Sequence, residues 1–286
     1  MTFSYATVLE TIRLSPRMIR IVLQVEDPAA LAVKPAGDSA VGVYFPVSDR
    51  DAVDEDTVDQ DTVDQDTEPE GRNYSVRAQD GARIDLDIVL HARGPGTEWA
   101  VSTKPGDRVG LDHARSWYRP PVGADWQLLV TDLSGLPACA RVIEELPDDV
   151  PAIVLAEVVD DDDLAYLPTR ANVTVIPTVG TGNGYASSRL AELTRDVDLP
   201  AGHGYCWFAG EAAESRTVRK HFRGLGWTVD QLDITGYWRF DSEKWDQEFA
   251  LVADDLVAVY EKALADGKGD KVASEEFDEA LERAGL

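Results

Sequence analysis

The chain has 286 residues, of which 44% are hydrophobic, and this is enough for two domains of ordinary size with filled cores. Its 53 acidic and 27 basic residues give a formal net charge of -26, which disfavours nucleic acid and anionic membrane surfaces as partners. Cys139 and Cys206 lie in apolar runs and indicate no disulfide framework, and without a spanning apolar stretch or a signal peptide we expect a cytoplasmic protein.

The first part of the chain has the pattern of an antiparallel barrel. Alternating β-branched side chains over residues 5–14 and 18–25 predict two strands, with Ser15-Pro16-Arg17 as the turn between them. Residues 41–45 predict a third strand, which ends before Pro46. We therefore expect these segments to be the first strands of an antiparallel barrel.

Residues 48–70 form an acidic segment in which Asp56-Thr57-Val58-Asp59-Gln60 is repeated as residues 61–65. A short acidic repeat without aromatic residues buries too little apolar surface to order itself, so we expect a disordered loop. A calcium loop is the alternative, but the segment lacks the glycine and the terminal glutamate of a hand-type site. We therefore predict no metal site.

Residues 71–77 alternate an arginine, an aromatic ring and a hydroxyl along a predicted strand. Alternate side chains of a strand share a face, so Arg72 and Tyr74 point one way while Asn73 and Ser75 point the other. A guanidinium beside a flat ring suits a ligand that has both phosphates and an aromatic ring system, such as a flavin dinucleotide. An ordinary strand with its tyrosine packed on the barrel explains the same pattern, and this stretch alone leaves both interpretations open.

Two further strands complete the predicted barrel. Residues 84–91 alternate apolar and polar side chains up to His91, and residues 108–111 follow a turn at 105–107. Between them, residues 94–97 lead into a short helix. Exposed amides at its start, with Gly96 permitting close approach and Thr97 offering a hydroxyl, predict an anion site. A capped helix turn without a ligand is the alternative.

From Trp126 onward, short apolar runs alternate with helical segments. The runs cover residues 128–130, 152–159, 173–176, 205–209 and 228–232, and the helices cover a segment to residue 146 that Ser134 would cap, then residues 186–195 and 212–224. This alternation predicts a parallel sheet covered on both faces, with ligands beyond the carboxyl ends of its strands. No G-x-G-x-x-G follows the first run, so a transiently docked nicotinamide cofactor fits better than a tightly held dinucleotide.

Polar residues at these strand ends are candidates for the nicotinamide site, namely Asp132, Ser134, Gly210 and Glu211. Arg216 and Arg219 follow on the next helix and could grasp a cofactor phosphate, or they could be ordinary solvated helix charges. Beyond residue 241, Ser242 and Ser274 would each cap an amphipathic helix. These helices could pack on the nucleotide domain or form a dimer contact, so we expect a monomer or a weak dimer.

Several of these stretches together resemble a known family. Arg72-Asn73-Tyr74-Ser75 matches R-x-Y-[ST], the flavin signature of the ferredoxin-NADP reductase-like superfamily. Within that superfamily the chain resembles the siderophore-interacting proteins, or ferric-siderophore reductases, over roughly residues 5–240. The further matches are residues 14–18, 87–91, 94–97, 99–100, 105–107, 136–138, 209–212 and 236–239.

The resemblance implies two domains: a FAD-binding Greek-key β-barrel over residues 1–122 and a NAD(P)H-binding-like α/β domain with a parallel sheet over 123–241. The amphipathic patterns beyond the matched region predict a helical extension over 242–286. The resemblance also implies the site residues. The FAD-binding set is Arg72, Asn73, Tyr74, Ser75, Val89, His91, Gly96, Thr97, Trp99, Ala100 and Trp238; the NAD(P)H-binding set is Asp132, Ser134, Gly210, Glu211, Arg216 and Arg219; the siderophore-binding pair is Arg115 and Arg239.

The function implied by the resemblance is electron transfer from NADPH, NADH or ferredoxin, through FAD, to ferric iron held by a siderophore. The flavin would carry the chemistry, so no residue is expected to act as a catalytic acid, base or nucleophile. Two alternatives stay open: a general flavin-dependent NAD(P)H oxidoreductase with another acceptor, and a non-catalytic siderophore-binding protein. Gly42 favours the first alternative, because the family often has a lysine there.

Overall fold

The computed structural model describes residues 4–45, 71–91, 94–240 and 242–286. Contacts divide the chain into two units. The first contains the residues up to 118 together with 135–147 and 165–170, and the second contains the remainder. The expected acidic loop over residues 48–70 lies outside the described residues, and the domain boundaries at 122 and 241 stay a prediction.

The first unit contains a closed antiparallel barrel. Its strands are β1 (Ser4–Ser15), β2 (Met18–Val25), β3 (Ala40–Tyr44), β4 (Gly71–Asp80), β5 (Arg83–Val89) and β6 (Arg108–Arg115), with helices α1 (Pro28–Leu31) and α2 (Pro95–Ser102) in the connections. They pair in the order β1-β2-β5-β4-β3-β6 before closing through β6 and β1. The barrel predicted from the alternating patterns is therefore confirmed.

Strand β5 departs from simple alternation. Ile84, Leu86 and Ile88 fill the barrel core as the pattern predicts. Asp85 and Asp87 on the opposite face are also buried, because Arg20 on β2 donates two hydrogen bonds of 2.7 Å to Asp87 and lies 3.6 Å from Asp85. A buried carboxylate needs such a partner to stay ionised.

One helix of the first unit comes from the middle of the chain. Helix α3 (Leu136–Glu145) packs on barrel strand β4, where Arg141 Nη1 donates to the Val76 carbonyl at 2.9 Å and Arg77 forms a bidentate pair with Glu144. Arg170 Nη1 bonds three carbonyls at the end of this helix, which satisfies acceptors that a helix terminus leaves open.

The second unit contains the predicted parallel sheet. Its strands are β7 (Trp126–Thr131), β8 (Ala152–Val158), β9 (Val173–Val179), β10 (Gly204–Glu211) and β11 (Leu232–Trp238), in the order β11-β10-β7-β8-β9. Strand β7 is buried along its whole length, as its continuous apolar run predicts. Helices α4 (Leu190–Asp196) and α5 (Ala212–Gly224) contribute Leu190, Val218 and Phe222 to the core against the sheet.

Several element boundaries differ from the sequence predictions. Gly135 replaces Ser134 as the N-cap of α3, because the Ser134 hydroxyl bonds Asp132 instead. The last strand covers Leu232–Trp238 and shares only Leu232 with the run predicted over 228–232, since Thr228 and Gln231 form a capping box around a 3-10 turn. Residues 186–189 are loop rather than helix, so α4 starts at Leu190.

The C-terminal extension is helical, as predicted, but it holds three helices instead of two. They are α6 (Ser242–Ala250), α7 (Ala253–Ala265) and α8 (Asp270–Arg283). Ser274 lies inside α8 and caps nothing; Gly267 and Gly269 have φ values of 77° and 79°, and separate α7 from α8. No helix in the described part of the chain is long and apolar enough to cross a membrane.

The segment after β6 is tied to the barrel by one buried carboxylate. Asp38, fully buried, accepts hydrogen bonds from Ser116 Oγ at 2.6 Å and from the backbone amides of Trp117 and Tyr118. These donors fix the course of residues 116–118.

An Asp38→Ala exchange should lower the free energy of unfolding by roughly 2 to 4 kcal/mol, because three part-buried donors lose their acceptor at once. Urea denaturation followed by circular dichroism measures this loss. Asp80→Ala, at an exposed position at the end of β4, is the matched control and should stay within about 0.5 kcal/mol of the parent. Equal effects of the two exchanges would contradict the assignment.

Candidate functional site

An aromatic cluster lies beside the strand that carries the flavin signature. Tyr74 on β4, Trp99 on α2 and Phe45 after β3 form it, and we call these three rings the aromatic cradle. The ring centroids of Phe45 and Trp99 are 5.0 Å apart, and those of Tyr74 and Trp99 are 6.4 Å apart. Arg72 lies two residues before Tyr74 on the same face of β4, is exposed, and donates to the carbonyl of Gly71.

The first turn of α2 approaches the Tyr74 hydroxyl so closely that only glycine fits. A Cβ on Gly96 would stand 2.0 Å from Tyr74 Oη. Burial raises the pKa of the Tyr74 phenol well above its ordinary value, so the hydroxyl stays protonated and available as a donor. Next to it, Thr97 Oγ1 accepts the His91 amide at 3.0 Å, which fastens the end of the β5 segment to α2.

The remaining predicted residues of the first unit lie around this cluster in different ways. Asn73 is exposed and Ser75 is buried, both on the face of β4 opposite Tyr74. Val89 ends β5, and Ala100 is buried within α2. Arg115 ends β6, and its guanidinium lies 5.9 Å from the ring centroid of Trp117.

The residues of the cradle fit a flavin dinucleotide. Trp99 Nε1 is buried and has no hydrogen-bond partner among the described residues, so it is a donor that lacks an acceptor. The first amides of an eight-residue helix lie near it, and Arg72 adds a permanent positive charge. An anionic group attached to an aromatic ring system would satisfy these donors and stack on the rings.

In the second unit, one buried carboxylate brings together several predicted residues. Asp132, at the end of β7, accepts hydrogen bonds from the Ser134 amide at 2.8 Å, from the Ser134 hydroxyl at 2.5 Å, and from Trp238 Nε1 at 2.6 Å. Gly210 leaves room for it, since a Cβ there would stand 3.0 Å from Asp132 Oδ2. Burial raises the pKa of Asp132 to about 6 despite these bonds, and nearby Glu157 adds to the shift.

A loop that the sequence did not single out covers this edge of the sheet. Asn183 accepts the Leu133 amide at 2.8 Å and donates to the Glu157 carbonyl at 3.2 Å, so it fastens the β9–α4 loop to the ends of β7 and β8. Asn183 has a positive φ of 59°. Buried Glu157 accepts the Thr181 hydroxyl and the Arg189 amide from the same loop.

The loop and the strand ends enclose a cavity of about 300 Å³. Glu211 caps α5 by accepting the amides of Ala213 and Glu214, and it is one of the residues that line this cavity. Glu214 accepts the Ala191 amide at 2.7 Å, and burial together with neighbouring carboxylates raises its pKa. The lining consists of residues 182–188, Glu211, Glu214, Trp238 and Phe240.

Arg216 and Arg219 lie apart from this cavity lining. Both extend from α5 toward α8, where Arg219 pairs with Asp278, and Arg216 lies 3.9 Å from Glu282. Arg219 also donates to the Ile234 carbonyl. Their role in binding a cofactor phosphate stays a prediction.

Arg239, predicted to face the siderophore, follows β11 directly. Its guanidinium lies 3.9 Å from the ring centroid of Trp245 on α6, which is close enough for a cation–π interaction. Helix α6 lies in the C-terminal extension, outside the region of family resemblance, so the sequence patterns gave no indication of this pairing.

Phe45, Glu157 and Asn183 were the structural contributors that sequence reasoning missed. Phe45 ends a predicted strand next to Pro46, and Glu157 lies within an otherwise apolar run. A lone acidic residue inside an apolar strand indicates a polar site, because a carboxylate is buried only where hydrogen-bond donors surround it. The Gly182-Asn183-Gly184 triplet is a second signal, since it marks a turn with left-handed backbone.

The raised pKa of Asp132 predicts a specific dependence of stability on pH. The folded state favours the protonated Asp132 carboxyl. The contribution of this group to the free energy of unfolding is therefore present at low pH and is lost as pH rises through about 6. An Asp132→Asn variant lacks this titration. Its unfolding free energy relative to the parent should therefore increase by about 1 kcal/mol between roughly pH 5 and pH 7.5.

Urea denaturation across that pH range provides the measurement. The whole range lies above the isoelectric point of the chain, which is near 4.3. Asp230→Asn at an exposed position controls for the loss of one negative charge. Parallel curves for the parent and the Asp132→Asn variant would show that this carboxyl does not titrate in the window.

Comparison with known proteins supports the two-part organisation. The family model described as siderophore-interacting FAD-binding domain matches residues 7–115, and the model described as siderophore-interacting protein matches residues 124–241. Ferric vibriobactin reductase ViuB of Vibrio cholerae is 29% identical over 197 residues, which cover 66% of this chain and 72% of that protein.

Two solved structures are similar over most of their length. A siderophore utilization protein from T. fusca is 28% identical with a TM-score of 0.68, covering 84% of this chain and 94% of that one. The siderophore-interacting protein SipS from Aeromonas hydrophila is 25% identical with a TM-score of 0.66, covering 82% and 97%. Because the two family models together span most of the sequence, the chain belongs to the siderophore-interacting protein family.

Proposed function

We propose that this protein is a FAD-dependent reductase that takes electrons from NADH or NADPH and passes them to ferric iron bound by a siderophore in the cytoplasm. The observation that carries the proposal is the close approach of Gly96 to the Tyr74 hydroxyl, beside exposed Arg72. This arrangement lies within the region that matches the FAD-binding domain of the family. The similarity to ferric vibriobactin reductase supports the acceptor.

The residues of the first unit would bind and orient the cofactor. Arg72 would neutralise a phosphate, while the first amides of α2 and the Thr97 hydroxyl would donate to it or hold the helix start in place. The ring of Tyr74 would pack on the flat ring system, and its hydroxyl would donate a hydrogen bond. When bound, FAD supplies the link between a hydride donor and acceptors that take one electron at a time.

The residues of the second unit would bind NADH or NADPH. The cavity lies at the carboxyl ends of the parallel strands, which is where open sheets of this type bind ligands. Asp132 holds Trp238 and Ser134 in fixed positions at this edge, so the wall of the cavity is formed before a ligand arrives. Preformed walls lower the entropic cost of binding.

A second candidate is a flavin-dependent NAD(P)H oxidoreductase with a different acceptor. Gly42 stands where the family often has lysine, so the first unit lacks one positive charge that the family uses toward the siderophore. Fewer positive charges suit a neutral or weakly anionic acceptor, such as a quinone or an uncharged iron chelate.

Exchange of Gly96 for alanine should lower the affinity for FAD by roughly tenfold or more, because the Cβ overpacks the cradle by about 1 to 3 kcal/mol. Flavin absorbance per protein after purification, and titration of stripped protein with FAD, measure the effect. Gly224→Ala is the control, since that helical glycine has no atom within 4 Å of the new Cβ. Helix propensity favours alanine over glycine at both positions, so a loss of affinity confined to Gly96→Ala would come from the contact with Tyr74. Retained FAD affinity in Gly96→Ala would refute the proposed binding site.

Iron reduction provides the direct test of the proposed function. Anaerobic FAD-loaded protein should reduce a ferric siderophore faster than the same concentration of free FAD does with the same donor, as followed with a ferrous-specific chelating dye. The Gly96→Ala variant should lose the excess rate at limiting FAD. A rate no higher than that of free FAD would exclude the siderophore reductase, and fast reduction of a quinone under the same conditions would favour the second candidate.

A further inference from the structure

The cavity at the carboxyl edge of the parallel sheet has a definite chemical character. Tyr185 and Phe240 are 61% and 67% exposed at its rim and offer flat surfaces for stacking a base or a nicotinamide ring. Ser187 and Ser188 contribute hydroxyls. Glu211 and Glu214 are its charged lining residues, and no lysine or arginine lines it among the residues that the structure describes.

Further negative charge lies behind the cavity wall. Glu157 is fully buried against Gly182, where a Cβ would stand 1.8 Å from Glu157 Oε2. That oxygen has no hydrogen-bond partner in the described part of the chain. Burial raises the pKa of Glu214, and repulsion from Glu157 and Glu211 adds to this rise.

Three cations near the cavity have carboxylate partners. Arg189 follows the lining residue Ser188, but its guanidinium makes two hydrogen bonds to Glu192. Arg216 and Arg219 on α5 face Glu282 and Asp278 of α8. Arg239, between the lining residues Trp238 and Phe240, lies over the ring of Trp245. A phosphate placed in the cavity would meet the lining carboxylates, and recruiting Arg189, Arg216 or Arg219 would require breaking an existing ion pair.

NADH and NADPH differ at one group, the 2′-position of the adenosine ribose. A carboxylate accepts a hydrogen bond from the free 2′-hydroxyl of NADH, whereas NADPH carries a phosphate there and needs a cation. Each carboxylate oxygen has two lone pairs, so the bonds that Glu211 and Glu214 already accept from backbone amides leave capacity for a ribose hydroxyl.

We propose that the electron donor is NADH, and that Glu214 together with Glu211 excludes NADPH by repelling its 2′-phosphate. This inference rests on the proposed function, because it specifies the donor for the same nucleotide site. A site can select NADH by repelling NADPH as much as by attracting NADH. The chain charge of -26 adds a general repulsion, which a local test must separate from the effect of Glu214.

The decisive comparison uses FAD-loaded protein with two readouts. Saturation-transfer NMR with NAD⁺ and NADP⁺ reports binding without turnover, and anaerobic bleaching of the flavin absorbance by NADH or NADPH gives kcat/KM. We expect about a tenfold or larger preference for NAD⁺ and NADH at low ionic strength. The preference should shrink toward roughly 0.5 M salt, because screening weakens repulsion between charges.

Two variants distinguish local repulsion from overall charge. Glu214→Gln keeps an acceptor for the Ala191 amide and should narrow the NADH preference by several fold, mainly through tighter NADPH binding. Asp230→Asn removes the same charge from an exposed residue outside the lining and should leave the preference unchanged. Circular dichroism confirms folding, and the salt dependence of the unaltered protein provides a test that needs no variant.

Tight NADPH binding to the parent protein, or equal effects of the two variants, would overturn the inference. Failure of the proposed function looks different: NADH would bleach the flavin selectively, yet the ferric siderophore would not be reduced. If instead dithionite-reduced protein reduces the siderophore but neither dinucleotide binds, the reductase proposal stands and the NADH assignment is wrong.

Discussion

The second unit depends on the buried carboxylate of Asp132, which has no cation beside it among its hydrogen-bond partners. Burying a charged carboxylate is unfavourable, and for this reason the pKa of Asp132 rises to about 6. Three hydrogen bonds from Ser134 and Trp238 offset part of it. In return, the end of β7 is joined to the end of β11, so Trp238, which lines the cavity, is held in a fixed position. A hydrophobic residue at this position would pack more easily but could not orient the Trp238 indole.

The distribution of charge is a second constraint on what the chain can bind. Acidic residues outnumber basic ones by about two to one, and many basic side chains have acidic partners: Arg219 with Asp278, Lys220 with Glu282 and Lys271 with Asp233. These pairs attach α8 to α5 and β11 through polar contacts, while the apolar residues of the extension form a separate cluster. Positive charge is therefore used to hold the extension in place. Arg72, beside the aromatic cradle, is an exposed cation that an anionic ligand could reach.

Local pattern was sufficient to predict the barrel and the parallel sheet, because side-chain alternation and apolar runs reflect burial directly. It failed where a distant partner decides the outcome. The alternation in β5 gave no sign that Asp85 and Asp87 are buried, since Arg20 lies far away in sequence. Likewise, Arg216 and Arg219 look solvated on α5 until α8 supplies Glu282 and Asp278. Ser134 was a sound N-cap candidate, but a buried carboxylate competed for its hydroxyl.

Three glycines make room for polar groups in the candidate sites, and two of them, Gly96 and Gly210, were predicted from the sequence. Gly96 makes room for the Tyr74 hydroxyl, Gly182 for a carboxylate oxygen of Glu157, and Gly210 for one of Asp132. In each case a polar atom lies where a Cβ would stand within 3.0 Å or less, so the missing side chain is what admits the polar group. A glycine in a motif therefore indicates that something approaches the backbone closely. The identity of that partner requires the fold, because Asp132 and Gly210 lie on neighbouring strands that are far apart in the sequence.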